Sequence, residues 1–325
     1  MSTDCTLLAD IGGTYTRLAL LDDVGQITNV AVRENADFLG MEALLGSYIA
    51  TLPVSQQPGR AALAVACPVT GDRVTLTNFN LSFSVEATRA GLGLNSIRVI
   101  NDFTAVALAI PHLDAQDVLQ LGGGTPVPDA AIGVLGPGTG LGVSGLVPHA
   151  GGWIPITGEG GHVTVGATTD EEEQVLAWFR QRHGHASGER ILSGSGLVDL
   201  YCYFSGQEAT EHSPQRIAEL AYNENDTTAR RVFDEFFALL GNVAGNLALT
   251  LGARGGVYVA GGILPRMPNA LRTSSFRERF TAKGRFRGYL EAIPTYLIVD
   301  TNVAFKGLAA SLRDKHAQRD IGDSS

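Results

Sequence analysis

Runs of apolar and polar positions divide this chain into a strand-rich first part and a helix-rich second part. Thr6–Asp10 and Tyr15–Asp22 are apolar or β-branched, with Ile11-Gly12-Gly13-Thr14 between them. That spacing predicts a hairpin. Asp23-Val24-Gly25-Gln26 makes the next turn, and Ile27–Val32 reads as a third strand. Phe38, Met41, Leu44, Leu45 and Tyr48 recur at three- and four-residue steps and predict a helix over Ala36–Thr51. Pro53–Arg60 is a polar loop. Ala61–Ala66, closed by Pro68, and Ile97–Ile100 are short continuous apolar runs, the pattern of strands buried on both faces. Phe103–Ile110 reads as a buried helix that stops before Pro111.

The Gly- and Pro-rich stretch 122–129 predicts a connection between lobes. The opening pattern then returns: strand Ala130–Leu135, glycine turn Gly136–Gly140, strand Leu141–Val147. Such a recurrence fits an internal duplication, or two hairpins that arose independently. Helices follow at Asp170–Arg182, Pro214–Asn223, Thr227–Gly252 and Val303–Arg313, with strands at Gly256–Ala260 and Tyr296–Val299. Asp170, Glu171, Glu172 and Glu173 open the first of these helices, where carboxylates favour the dipole, and read as a solvated helix start. The tail from Asp314 is polar and expected to fray.

Composition narrows the function classes. The 325 residues include 24 Lys+Arg and 33 Asp+Glu, a formal net charge of −9, and no basic stretch. That charge balance opposes duplex nucleic acid as a partner. No continuous apolar run reaches the roughly 18 residues of a membrane span. Met1–Cys5 lacks the pattern of a secretory signal. Cys5, Cys67 and Cys202 are far apart with no CxxC spacing, which fits reduced cytosolic thiols rather than disulfides or zinc. The anomaly is 40 glycines, in clusters.

Those clusters carry the candidate chemistry. A tight glycine turn exposes several backbone N–H groups, a concavity that binds anions when side chains do not block it. Asp10-Ile11-Gly12-Gly13-Thr14 has this form, with a Thr hydroxyl added and Asp10 placed to hold Mg²⁺ directly or through water. A plain hairpin turn is the alternative. Gly136-Pro137-Gly138-Thr139-Gly140-Leu141-Gly142 has four glycines in seven positions, which weakens a sheet unless a backbone or ligand must approach. Neither turn is a Walker loop or a dinucleotide fingerprint. Ala260-Gly261-Gly262-Ile263 offers bare backbone to an adenosine, or to a helix–strand contact. Asn101-Asp102 ends a buried strand, where α/β proteins bind ligands. Asp102 suits the base for an attacking hydroxyl, or caps the helix near Phe103. Glu159, His162 and Glu189, on glycine-flexed loops, suit the hydroxyls of a polyol; Glu159 with His162 as metal ligands is the alternative.

Taken in order, these stretches resemble the bacterial glucokinases, of the type without the repressor/kinase family's zinc motif. The matching segments run from Ala9–Thr14 through Ala66–Asp72, Thr77-Asn78, Phe83-Ser84, Ile100–Ala105, Gly138–Gly142, Gly158–His162, Glu189–Gly194, Ala260–Ile263 and Pro265-Arg266 to Lys283–Phe286. The resemblance implies an α/β, two-lobed actin-like ATPase (ribonuclease H-like) fold with a cleft. Residues 1–112 and 303–325 would form the smaller lobe, 113–302 the larger. It implies transfer of the ATP γ-phosphate to the glucose 6-hydroxyl, the first step of glycolysis, with ATP and Mg²⁺ and with Asp102 as base. Asn78, Asn101, Gly138, Glu159, His162 and Glu189 would line the sugar pocket. Asp10, Ile11, Gly12, Gly13, Thr14, Tyr15, Gly138, Thr139, Gly140, Gly261 and Gly262 would face the nucleotide, Asp10 serving the metal. It further implies a cytoplasmic homodimer, with neither nucleic acid nor membrane as partner.

The chain departs from the family in three places. Leu81 stands where Trp is usual. Thr301-Asn302-Val303-Ala304-Phe305-Lys306-Gly307 replaces Asn-Pro-Gly-Leu-Leu-Gly at the lobe hinge, and Pro137 stiffens the second turn. The rival readings are a kinase for mannose or glucosamine, a sugar-sensing regulator and an actin-like scaffold. No helix-turn-helix segment precedes Leu7, which weighs against the regulator; the polyol set weighs against the scaffold.

Overall fold

The computed structural model describes residues 5–76, 81–207 and 212–313. Two compact units emerge, Met1–Leu113 with His149–Thr157 and Asp300–Ser325, and Asp114–Pro148 with Gly158–Val299.

The first unit is built on a five-stranded sheet. Strands β1 (Thr6–Ile11), β2 (Tyr15–Leu21), β3 (Ile27–Glu34), β4 (Arg60–Val65) and β7 (Ser96–Asn101) lie in the order β3-β2-β1-β4-β7. β1 runs antiparallel to β2 and parallel to β4, and β4 is parallel to β7. Strands alternate their faces. Leu7, Ala9 and Ile11 join Leu18, Leu63 and Val65 in one core with Met41, Leu44, Leu45 and Tyr48 of the helix Met41–Ile49. The helices Asp102–Ala109 and Val303–Arg313 pack on each other, and Val303–Arg313 also packs on β1 and β4. Their approach is close: a Cβ on Gly307 would lie 1.7 Å from the Ala105 carbonyl. A small hairpin, β5 (Arg73–Thr75) and β6 (Ser82–Ser84), lies outside this sheet and adds Val74 and Phe83 to the same core.

In the second unit, β8 (Val118–Gly122), β9 (Ile132–Pro137) and β10 (Leu141–His149) precede β11 (Gly152–Thr157), which packs with the first unit on the helix Asp102–Ala109. β12 (Val257–Val259) and β13 (Thr295–Ile298) complete the order β10-β9-β12-β13-β8. β9 is antiparallel to β10 and parallel to β12, and β12 is parallel to β13. The sequence β2-β1-β4-β7 thus recurs as β10-β9-β12-β13: a hairpin extended by two parallel strands. The core is dominated by the 25-residue helix Thr227–Leu251, which buries Phe233, Phe236, Phe237 and Leu240.

Several expectations change. The predicted helix 36–51 is shorter, because Asn35–Asp37 is a 3₁₀ turn, Phe38 is extended and Gly40 caps Met41–Ile49. The 122–129 stretch lies inside the second unit, not between lobes. The acidic helix start is not wholly solvated: Glu172 is buried, accepts from Thr168 N (2.6 Å) and Thr168 Oγ1 (2.8 Å), and pairs with Arg279. Thr227–Leu251 is long and apolar enough to cross a membrane by length and composition, although polar residues interrupt it. However, 67% of its apolar stretch is buried in the protein, as in a core helix. Thr77, Asn78 and the tail from Asp314 lie outside the described residues.

Candidate functional site

The first unit gathers its chemistry at the carboxyl edge of its parallel strands. Asp10 pairs across with Ala64, and Ala64 with Ile100, so Asp10 stands level with the end of β7, about 10 Å away at two strand spacings. Desolvation pushes the Asp10 carboxyl above its usual range, partly offset by the charge of Arg17, its cross-strand neighbour. Arg17 also holds the start of the last helix: it donates to the Thr301 carbonyl and to Asn302 Oδ1 (2.8 Å) and stacks over Phe305.

The turn after Asp10 is closed from within and from behind. Gly12 N donates to the Tyr15 carbonyl (3.1 Å). Asn35 Nδ2 donates to the Gly12 carbonyl (2.8 Å), and Asn35 N to the Thr14 carbonyl (2.9 Å). Thr14 and Tyr15 are exposed, whereas the Ile11 side chain belongs to the core, leaving only its backbone to a nucleotide.

The capping position of this helix is taken by the residue before Asp102. Asn101 is the N-cap of the helix Asp102–Ala109; its Oδ1 accepts from Phe103 N (2.9 Å) and Thr104 N (3.1 Å). Asp102 is the first helical residue, one carboxylate oxygen accepting from Phe103 N (2.9 Å). A carboxylate there is also favoured by the helix dipole. Asn101 Nδ2 donates to the Cys67 carbonyl (3.4 Å).

The second unit brings together the polyol set. His162 Nε2 lies 3.9 Å from Glu159 Oε2, and His162 Nδ1 lies 3.9 Å from Glu189 Oε1. All three side chains keep more than a third of their surface in solvent. Glycine lets this loop lie flat on β10: a Cβ on Gly161 would sit 2.1 Å from the Leu141 carbonyl. Glu189 also accepts from Leu141 N (3.0 Å), and a Cβ on Gly140 would meet Glu189 Oε2 at 2.2 Å. The turn Gly138-Thr139-Gly140 is therefore fixed by Glu189. It is also fixed by Gly138 N donating to the Gly140 carbonyl (2.8 Å) and Gly194 N donating to the Gly138 carbonyl (2.9 Å).

Gly261 adopts a φ of +91° and a Cβ there would meet the Pro137 carbonyl at 2.3 Å, so Gly261-Gly262 abuts the same turn. This juxtaposition joins two glycine-rich backbone stretches of the second unit. Among the described residues no group of three or more His, Cys, Asp or Glu forms a metal cage. A single carboxylate, Asp10, suits a cation whose other ligands are phosphate oxygens and water. The sequence assigned no role to Asn35, Arg17 or Gly194. For Asn35 the only local sign was an Asn at the end of a strand, a position usually read as a turn residue.

The model of the glucokinase family matches residues 7–315. A glucokinase of Paramagnetospirillum magneticum is 47% identical over 312 residues, covering 95% of this chain and 97% of the relative. The solved glucokinase of an Antarctic psychrotroph superposes with a TM-score of 0.83 at 36% identity, covering 95% and 99% of the two chains. The Balamuthia mandrillaris glucokinase in complex with glucose has a TM-score of 0.80 at 23% identity, covering 96% and 94%, and shares the fold.

Proposed function

The chain belongs to the glucokinase family, with its actin-like ATPase fold, and we propose the following assignment of residues to its chemistry. It is an ATP-dependent hexose kinase that transfers the γ-phosphoryl group to the glucose 6-hydroxyl, giving glucose 6-phosphate and ADP. The observation that carries the assignment of the base is that Asn101, not Asp102, caps the helix.

Phosphoryl transfer needs positioning and charge stabilisation more than covalent help. Glu159, His162 and Glu189 accept from and donate to the ring hydroxyls, with Asn101 Nδ2 as a further donor; Asn78 and Gly138 complete the set. Asp102 accepts the proton of the 6-hydroxyl as its oxygen attacks phosphorus. The amides of Gly13, Thr14, Thr139 and Gly140 face the phosphates, and Gly261-Gly262 the adenosine. Mg²⁺, held by Asp10 directly or through water, supplies neutralisation of phosphate charge when bound. The family resemblance supports a cytoplasmic homodimer whose product enters glycolysis.

Asp102→Ala tests the base. Turnover should fall by about 100-fold or more, with glucose binding retained, in a steady-state assay of ADP release with ATP, Mg²⁺ and glucose. Turnover near the parent value would remove Asp102 from the chemistry. A panel of mannose, glucosamine and glucose in the same assay separates this reading from a kinase for another hexose.

A further inference from the structure

We propose that Asn35 is a positioning residue for phosphoryl transfer, its buried amide locking the Gly12–Gly13 peptide so that the Gly13 N–H points at the nucleotide. The proposal rests on reading this turn as a phosphate cradle. Asn35 lies at the end of β3, 23 residues from Gly12, and is 1% exposed. Its Nδ2 donates to the Gly12 carbonyl (2.8 Å), its Oδ1 accepts from Thr16 Oγ1 (2.7 Å), and its backbone N–H donates to the Thr14 carbonyl (2.9 Å). Thr16 is fully buried. The amide orientation follows from the partners: turned over, Oδ1 would oppose the Gly12 carbonyl.

A peptide unit is planar and trans, so its C=O and the following N–H point in opposite directions. Tying the Gly12 oxygen inward therefore turns the Gly13 N–H outward. A Gly-Gly peptide has no Cβ to resist a flip. Flipped, it would present a carbonyl oxygen, rather than a donor, to a phosphate. Gly12 N is already spent on Tyr15. Among the described residues, the amides of Gly13 and Thr14 donate to no protein acceptor. The Gly12 and Thr14 carbonyls are thus held by Asn35, and the Gly13 N–H, opposite the Gly12 carbonyl, is left as a donor, the polarity an anion requires.

Asn35→Asp keeps the acceptor for Thr16, loses the donor to Gly12 and sets an oxygen against its carbonyl. Thr16→Val removes only the hydroxyl that orients the amide. Steady-state kinetics should show ATP KM raised about tenfold with lower kcat in Asn35→Asp, and a smaller shift of the same kind in Thr16→Val. Glucose KM and glucose affinity by calorimetry should stay within twofold in both, which also reports that the variants fold. An ATP KM within twofold in both variants, or an equal rise in glucose KM, would overturn the proposal. In the unaltered ¹⁵N-labelled protein, a non-hydrolysable ATP analogue should shift the Gly13 and Thr14 amide resonances. Silent amides would instead overturn the phosphate reading itself, and the proposal with it.

Discussion

The Gly12–Thr14 turn and the Gly138–Gly140 turn crown hairpins of the same topology, yet they are secured by different means. The first is held from behind by a side chain, Asn35, that touches nothing in the proposed sugar set. The second is held by backbone, Gly194 N to the Gly138 carbonyl, and by the Glu189 carboxylate at Leu141 N. Glu189 also stands 3.9 Å from His162, so one residue serves both the turn and the proposed sugar set. A strand–glycine turn–strand pattern makes a hairpin locally, but the latch that fixes its shape is recruited from wherever the fold brings a suitable group.

The sharpest way to break this comparison is to add one carbon to each turn. Gly140→Ala would drive a Cβ against Glu189 Oε2 and push aside the carboxylate that latches the turn at Leu141 N and belongs to the proposed sugar set. We expect kcat/KM for glucose to fall about 100-fold, the scale of an ångström-sized misplacement. Gly12→Ala meets only the Tyr15 carbonyl at 3.0 Å and should cost about tenfold or less, chiefly in ATP KM. Equal losses in both parameters for the two variants would show that the turns are secured alike.

Glu159→Gln probes the pocket without touching either latch. It should raise glucose KM by about tenfold, the difference between a charged and a neutral hydrogen bond, with kcat less affected. Unchanged KM and kcat would remove Glu159 from the pocket.

The smallest effect is expected beneath the second sheet. Burial, with Glu172 and Glu171 nearby, pushes the Glu235 carboxyl up to about 7 despite Arg279 and Arg231, and its Oε1 has no hydrogen-bond partner. The folded state thus holds this proton more tightly than the unfolded chain. The associated stability is complete below the unfolded value of 4.5 and is lost as pH rises through about 7. Glu235→Gln should remove that dependence, raising stability at pH 8 by about 1–2 kcal/mol after allowance for solvent screening. Thermal melts between pH 5 and 8 measure it; parallel pH curves for parent and variant would exclude Glu235 as the source.

Much of the sheet scaffold was legible in the chain, because buried parallel strands are continuous apolar runs and glycine turns interrupt them. β1, β2, β9 and β10 fall within two residues of their expected limits. Elements whose pattern depends on context were not legible. β5 and β6 are three residues each, too short for a period, and Gly194–Ser205 opens with two glycines that disguise a helix. Phe38 matched a helical step but belongs to an extended segment before Gly40.

Local order in the sequence determined most of the strands, the two glycine turns and membership of a family, since each rests on periodicity or on residues adjacent in the chain. Only the tertiary structure decided which groups close those turns and which charges are buried. Arg279 neutralises Glu172 from 107 residues away, and Asn35 reaches Gly12 across 23. Such partners are chosen by where packed strands and helices bring a donor to an orphaned acceptor. Burial makes that pairing obligatory, and no local pattern of residues records it.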